Sequence, residues 1–173
     1  MKYCPICVCG EFKGDGPGVC DSCGFVDKPV EELTKREKAK LIGSFDFEEL
    51  SDGSYRIVGV KNTRDLLLRE TVGVSRIVSG IGDRAMAHLK FMTELELPAG
   101  LRAVGDEAFA SCKCLCKVFI PETVKAVGKG IFRDCHELKV IYCQADSQPD
   151  GWDPQWLDGC DAYPFWGMSG IDG

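Results

Sequence analysis

Four cysteines near the amino terminus have the chemistry and the spacing to hold a metal ion. Cys4 and Cys7 form one C-x-x-C pair, Cys20 and Cys23 form a second, and the segment 8–19 separates the two pairs. Zinc takes four tetrahedral ligands, and the gap within each pair lets both thiolates of a tight turn face one ion. Because the set supplies four sulfurs and no histidine, it predicts a closed, structural zinc site without metal catalysis.

Three alternatives to this zinc site remain open. Cys9 is a fifth thiol in the same segment and is an alternate ligand to Cys7. Iron in a rubredoxin-like site would use the same four sulfurs, and a redox dithiol would use the cysteines without any metal. A segment too small for a core of its own favours metal binding. Residues 1–27 resemble a zinc ribbon, which implies two cysteine knuckles joined by a short hairpin.

The composition of the whole chain is that of a folded protein. It has 173 residues, of which 45% are hydrophobic and 28% charged, and its formal net charge is −6. These values exclude wholesale disorder and argue against a surface that binds nucleic acid or membranes in general. The sequence has neither a signal-peptide pattern nor a run of about 18 apolar residues, so we expect a cytoplasmic protein with reduced thiols.

A repeat of constant length fills the middle of the chain. Residues 74–96, 97–119 and 120–142 align without gaps, and apolar side chains recur at the same positions in all three copies. Each unit is too short to bury its own apolar face, so successive units must stack into a solenoid. One position is glycine throughout, where we expect it to let the chain turn sharply. These glycines are Gly82, Gly105 and Gly128.

The pattern I/L-P-x-x-V/L-x-x-V-G-x-x-A/I-F-x-x-C-x-x-L-x-x-V/I resembles the BspA-like leucine-rich repeat. The resemblance covers residues 45–173 and implies a mostly β solenoid with short helical or 3-10 turns. Residues 45–62 resemble the hairpin that leads into such arrays, and the repeats occupy about residues 63–142. Residues 143–173, which are rich in tryptophan and phenylalanine, resemble the aromatic cap that closes them.

A short helix is predicted between the ribbon and the repeats. Residues 28–44 have Pro29 in the expected first turn, acidic residues before basic ones, and Gly43 at the end. These are the residue preferences of a helix start and a helix stop. The predicted domain order is therefore zinc ribbon, linker helix and leucine-rich repeat domain.

The repeat also assigns the second group of cysteines. Cys112 and Cys135 align with each other at an apolar position, and Cys143 aligns with another. We expect these three to point inward, because buried cysteine behaves as a small hydrophobic residue. Cys114 and Cys116 align with variable positions and are predicted to face outward.

Five residues are candidates for contacting a partner. Lys90, Lys113 and His136 fall in register and form a small basic ladder, while Phe119 and Tyr142 share a strand position expected to face outward. Solenoids use such strand faces for extended protein contacts. The five residues therefore mark a predicted binding face.

These observations predict a non-enzymatic protein–protein interaction module with a structural zinc and a protein partner. The only histidines, His88 and His136, adjoin no recognisable nucleophile motif. Members of the resembling family are often surface-associated proteins that bind host or matrix proteins, whereas reduced metal thiolates fit an intracellular adaptor. The alternative is a nucleic-acid or transcription-associated regulator that uses the ribbon. Lys2 and Lys13 are outnumbered by acidic residues in that segment, which disfavours a nucleic-acid partner.

Overall fold

The computed structural model describes residues 45–61, 78–90 and 92–170. The predicted ribbon at 1–27 and linker helix at 28–44 lie outside these residues. Within them the secondary structure consists of strands and turns, and no helix is present. The strands are β1 (Phe45–Glu49), β2 (Tyr55–Val60), β3 (Val78–Ile81), β4 (Glu94–Glu96), β5 (Ala103–Val104), β6 (Lys117–Ile120), β7 (Ala126–Val127), β8 (Val140–Cys143) and β9 (Tyr163–Trp166).

The strands form two sheets that run along a solenoid. One sheet has the order β1-β2-β3-β5-β7, and the other has the order β4-β6-β8-β9. Apart from the antiparallel β1–β2 hairpin, all neighbouring strands are parallel. In the second sheet, Glu94 pairs with Lys117 and Lys117 with Val140, so each residue meets its equivalent in the next copy of the repeat. The predicted repeat length and the mostly β solenoid are confirmed.

The apolar positions of the repeat form one core between the sheets. Phe109 and Phe132 are fully buried and stack with ring centroids 5.7 Å apart. Cys112, Cys135 and Cys143 are buried in the same core, as the register predicted. Each apolar side chain therefore lies on its counterpart in the next coil, which is how units too short to fold alone exclude water. The largest fully buried residues also include Ile57, Ile81, Met86, Leu89, Leu97, Leu101, Leu115, Ile120, Ile131 and Leu138.

The corners between the sheets are hydrogen-bonded turns that pair with each other. The N–H groups of Arg84, Met86 and His88 donate to carbonyl groups of the next coil at 2.8–2.9 Å. Two residues of each corner adopt the left-handed region, and most of them are not glycine. This conformation is costly for a side-chain-bearing residue and is held here by the bonds between coils. The residues concerned are Arg84, His88, Glu107, Ser111, Gly130 and Asp134.

The glycine found in every repeat has a different role from the one predicted. Gly105 is not among the residues with a positive φ, so the chain does not need glycine there in order to turn. A Cβ at Gly105 would instead lie 2.6 Å from the Asp83 backbone nitrogen and 2.7 Å from the Gly82 carbonyl carbon. Gly128 meets the backbone of Asp106 in the same way. This position is glycine because neighbouring coils touch there.

Tryptophans close the carboxyl-terminal end of the core. Trp152 pairs with Val127 in an isolated bridge, and its Nε1 donates to the Val124 carbonyl at 3.1 Å. Its ring lies 4.9 Å from that of Trp156 and 5.7 Å from that of Trp166, measured between centroids. Trp152 and Trp156 are each only 3% exposed, so they cover the apolar surface that the last coil would otherwise present to water.

Candidate binding face

The four-stranded sheet has an inner face in the core and an outer face toward solvent. Successive side chains of a strand point to opposite sides. In β6, Val118 and Ile120 belong to the hydrophobic core, so Lys117 and Phe119 lie on the other side. We call this second side, formed by the outward residues of β4, β6, β8 and β9, the outer face.

Strand pairing arranges the outer face in two rows that cross the coils. The first row is Glu94, Lys117, Val140 and Tyr163. The second row is Glu96, Phe119, Tyr142 and Phe165. In the first row, the Lys117 ammonium lies 3.9 Å from a Glu94 carboxylate oxygen, a long exposed pair of little energetic weight. The outer face carries Glu94 and Glu96 on β4 and ends in the aromatic pair Tyr163 and Phe165 on β9, which we call its aromatic end.

Phe119 departs from the prediction that it offers an exposed aromatic surface. Its backbone position is on the outer face, but the residue is only 7% exposed. Phe119 lies in an interior strand, with Glu96 and Tyr142 paired on its two sides. A flat side chain between two neighbours loses most of its accessible surface, so Phe119 is packed within its row and offers little surface to a partner. Tyr142 is half-buried and keeps part of its ring accessible.

The most exposed aromatic residues of the face are on β9. Tyr163 is 68% exposed and Phe165 42%, and their ring centroids lie 5.4 Å apart. Phe165 continues the row of Tyr142, at a centroid distance of 6.0 Å. Within the segment predicted as the aromatic cap, Trp166 packs against the core, whereas Phe165 points to the outer face. Because successive side chains of a strand point to opposite sides, the sequence could have indicated that Phe165 and Trp166 face in opposite directions.

The predicted basic ladder lies in the connections that lead into β4, β6 and β8. Lys90, Lys113 and His136 are all exposed and occupy equivalent positions in three successive coils. The Lys139 ammonium donates a hydrogen bond to the His136 carbonyl at 2.7 Å. The ladder is therefore accessible to solvent and remains a candidate contact.

Three thiols of the solenoid have raised pKa values, which favours their neutral form. Burial raises the pKa of Cys143 to about 12. The pKa of Cys135 is raised by its hydrogen bond to Cys112 and by burial, and burial also raises the pKa of Cys160. Cys112 and Cys135 donate to backbone carbonyls of the preceding coil, at 3.4 and 3.2 Å. The hydrogen bond to Cys135 lowers the pKa of Cys112, but the Cys112 side chain is fully buried in the core. These thiols are packing groups, since a reactive cysteine needs both a lowered pKa and access to solvent.

The predicted metal ligands cannot be placed by the structure. They all lie outside the described residues: Cys4, Cys7, Cys9, Cys20 and Cys23. In the described part of the chain, no group of three or more potential ligand side chains converges as a metal site. Those same residues include no helix of the length and apolarity needed to cross a membrane.

Parallel strands, a constant repeat register and a leucine-rich core define a β-solenoid built from leucine-rich repeats. Consistent with that class, residues 69–148 match the family model described as "BspA type Leucine rich repeat region (6 copies)". The matched region contains β3 to β8 and ends before the tryptophans of the last coil.

Three solved structures are similar to this chain. A leucine-rich repeat protein from Bacteroides capillosus ATCC 29799 has a TM-score of 0.48 at 20% identity, over 72% of this chain and 94% of that one. The leucine-rich repeat protein of T. pallidum has a TM-score of 0.38 at 15% identity, over 73% and 80%. A leucine-rich cell surface protein from Faecalibacterium prausnitzii A2-165 has a TM-score of 0.37 at 15% identity, over 73% and 54%. Among curated proteins, none matches the sequence significantly.

Proposed function

We propose that this protein is a non-enzymatic protein-interaction module whose contact surface is the outer face. The observation that carries the proposal is the pair of exposed aromatic residues, Tyr163 and Phe165, in line with the half-buried Tyr142. Aromatic side chains are enriched in protein interfaces because they bury much area at a small entropic cost. Leucine-rich repeat solenoids present such faces as extended, rigid platforms.

The rigidity of the face supports this role. Phe119 is packed within the second row of the outer face, and the strands that carry this row are held to the core through Val118, Ile120 and Ile141. A partner would therefore meet a preformed surface and would lose little free energy to ordering it. The raised pKa values of Cys135 and Cys143 and the complete burial of Cys112 argue against a cysteine nucleophile in the core.

The experiment places a photo-crosslinking amino acid on the face. A benzoylphenylalanine at Tyr142 should form a crosslinked adduct with a protein partner in cells of the source organism. The matched control places the same group at Val58, which is 43% exposed on the other sheet and should give none. An adduct at Val58 with none at Tyr142 would contradict the proposed face. Adducts with nucleic acid would favour a nucleic-acid regulator instead.

We propose further that residues 1–27 hold one structural zinc ion through Cys4, Cys7, Cys20 and Cys23. Two C-x-x-C pairs in a segment this short support the assignment, and metal thiolates fit a reducing cytoplasm. Elemental analysis of the purified protein should find about one zinc per chain. The variants Cys4→Ser and Cys20→Ser should lose it, whereas Cys114→Ser, which removes an exposed thiol of the repeats, should keep it.

The same measurement distinguishes the open alternatives. Metal that persists in both variants would refute the ligand set. Iron in place of zinc would indicate a rubredoxin-like site, and loss of metal in Cys9→Ser but not in Cys7→Ser would make Cys9 the ligand.

A further inference from the structure

The aromatic end of the outer face has two rings available for contact from the side. Tyr163 and Phe165 lie two residues apart on β9, and their rings meet edge to face at an angle of 68°. β9 is the last strand of its sheet among the described residues, so the two rings have a neighbouring strand, β8, on one side only. Apart from Val58, they are the exposed large hydrophobic residues of the described chain.

The carboxyl-terminal segment that carries these rings is acidic. Residues 143–173 contain six aspartates and neither lysine nor arginine. Asp161 is exposed two residues before Tyr163, and a carboxylate oxygen of Asp146 lies 3.6 Å from where a Cβ would stand on Gly167, directly after β9. Within the described residues, neither Asp146 nor Asp161 forms an ion pair, whereas Asp158 is paired with Arg133. Lys139, whose carbonyl accepts from the Tyr163 N–H, keeps its charge, and its ammonium donates a hydrogen bond to the His136 carbonyl.

A cation is the group that fits aromatic rings bordered by carboxylates. The face of an aromatic ring attracts a guanidinium or an ammonium, and the carboxylates add a charge-assisted hydrogen bond. Arginine satisfies both contacts better than lysine, because its planar guanidinium stacks on a ring while its N–H groups reach a carboxylate.

We propose that the aromatic end of the outer face, formed by Tyr163 and Phe165 with Asp146 and Asp161, binds an arginine-containing basic segment of a protein partner. This inference rests on the proposed interaction function and specifies the chemistry of the partner. The rings supply stacking surfaces for guanidinium groups, and the two unpaired carboxylates set the preference for positive charge.

The partner is recognised through side chains and not by adding a strand to the sheet. The N–H of Tyr163 donates to the Lys139 carbonyl at 3.0 Å, toward the neighbouring strand. The next residue, Pro164, faces the free edge and has no N–H to donate. Proline at this position weakens pairing with an added strand, which leaves the two rings as the principal contact.

The test measures the affinity of the full chain for two labelled peptides by fluorescence anisotropy. The peptides have equal charge: one alternates glycine and arginine, and the other alternates glycine and lysine. The arginine peptide should bind more tightly, and its affinity should fall about tenfold in the double variant Tyr163→Ser/Phe165→Ser. Val58→Ser is the matched control, since that residue is as exposed as Phe165. Asp161→Asn should weaken binding, and Asp150→Asn, an exposed aspartate of the same acidic segment, should not.

Each result has a definite meaning for the inference. Equal affinity for the arginine and lysine peptides, or an unchanged affinity in the double variant, would overturn it, because binding would then reflect net charge alone. A glycine–glutamate peptide that binds as tightly would overturn it as well, and concentration-dependent self-association through Tyr163 would assign the face to a second copy of the chain. If the crosslink at Tyr142 forms while the arginine peptide fails, the basic partner is refuted and the interaction function stands. If both fail, both are refuted.

Discussion

Replacing Gly105 by alanine tests how closely the coils of the solenoid approach. The added Cβ would lie 2.6 Å from the Asp83 nitrogen, whereas ordinary contacts begin at 3.4 Å, so the two coils must separate locally by about 0.8 Å. Three hydrogen bonds hold this corner at 2.8–2.9 Å: Gly105 N to Ile81 O, Asp106 N to Asp83 Oδ1, and Arg84 N to Asp106 O. A displacement of that size would break or weaken all three. We expect a loss of roughly 2–3 kcal/mol in the free energy of unfolding.

Gly80→Ala is the matched control for this substitution. A Cβ at Gly80 meets nothing closer than 3.6 Å, and Gly80 pairs in register with Ala103, which in turn pairs with Ala126. The next two coils thus already have the residue that the control introduces. We expect its stability to change by less than about 0.5 kcal/mol, or to rise slightly, because alanine restricts the unfolded chain.

Urea unfolding followed by far-ultraviolet circular dichroism and by tryptophan fluorescence provides the assay. Wild-type stability in Gly105→Ala would refute the close approach at the corner. The double variant Asp83→Ala/Gly105→Ala separates the two causes of the clash, since it removes the side-chain oxygen of Asp83 but leaves the backbone contacts. The double variant should remain as unstable as the single one, and full recovery would show that only the side chain obstructs.

Three further measurements test the core. Phe109→Ala removes one of two fully buried, stacked rings and should cost about 3–5 kcal/mol by the same urea assay; a loss below about 1 kcal/mol would mean that the ring is not enclosed. Alkylation of the native protein, followed by mass spectrometry, should modify Cys114 and Cys116 before any buried thiol of the described residues, and fast labelling of Cys143 would contradict its burial. Because the pKa of Cys143 is raised from 9.0 to about 12 in the folded state, its contribution to stability is intact below pH 9 and is lost as the pH rises toward 12. Unfolding in Cys143→Ala should therefore show a shallower decline over that window, and an unchanged slope would contradict the raised pKa.

Repeat register was the part of the fold that the sequence could predict. A fixed repeat length aligns residues that share an environment, so one correct inward position, such as that of Cys112, also assigns its counterpart, Cys135. The glycine position was found in the same way, but its cause was misjudged. The crowding at Gly105 depends on the distance between its Cβ position and the backbone of Asp83 in the preceding coil. The sequence shows that the position is glycine but does not give this distance.

The candidate site was predictable only in part, because burial on the outer face depends on how many strands adjoin a residue. Phe119 and Phe165 occupy the same row and carry the same side chain, yet the first is 7% exposed and the second 42%. The repeat alignment ends at residue 142 and includes Phe119 but not Phe165. The difference arises because β6 lies between two strands, whereas β9 adjoins one.

The exposure of the β9 aromatics therefore has two physical explanations, and Pro164 decides between them. In the first explanation, β9 is an open edge that pairs with a further strand, and all of its outward N–H groups should then be available as donors. In the second, the two rings contact a partner through their side chains. Proline removes one of those donors at the middle of a four-residue strand. An added strand would lose a ladder hydrogen bond there, while side-chain contacts with Tyr163 and Phe165 are unaffected. Replacing Pro164 by alanine should leave arginine-peptide affinity unchanged, and a marked gain would indicate that the edge, and not the rings, is the binding element.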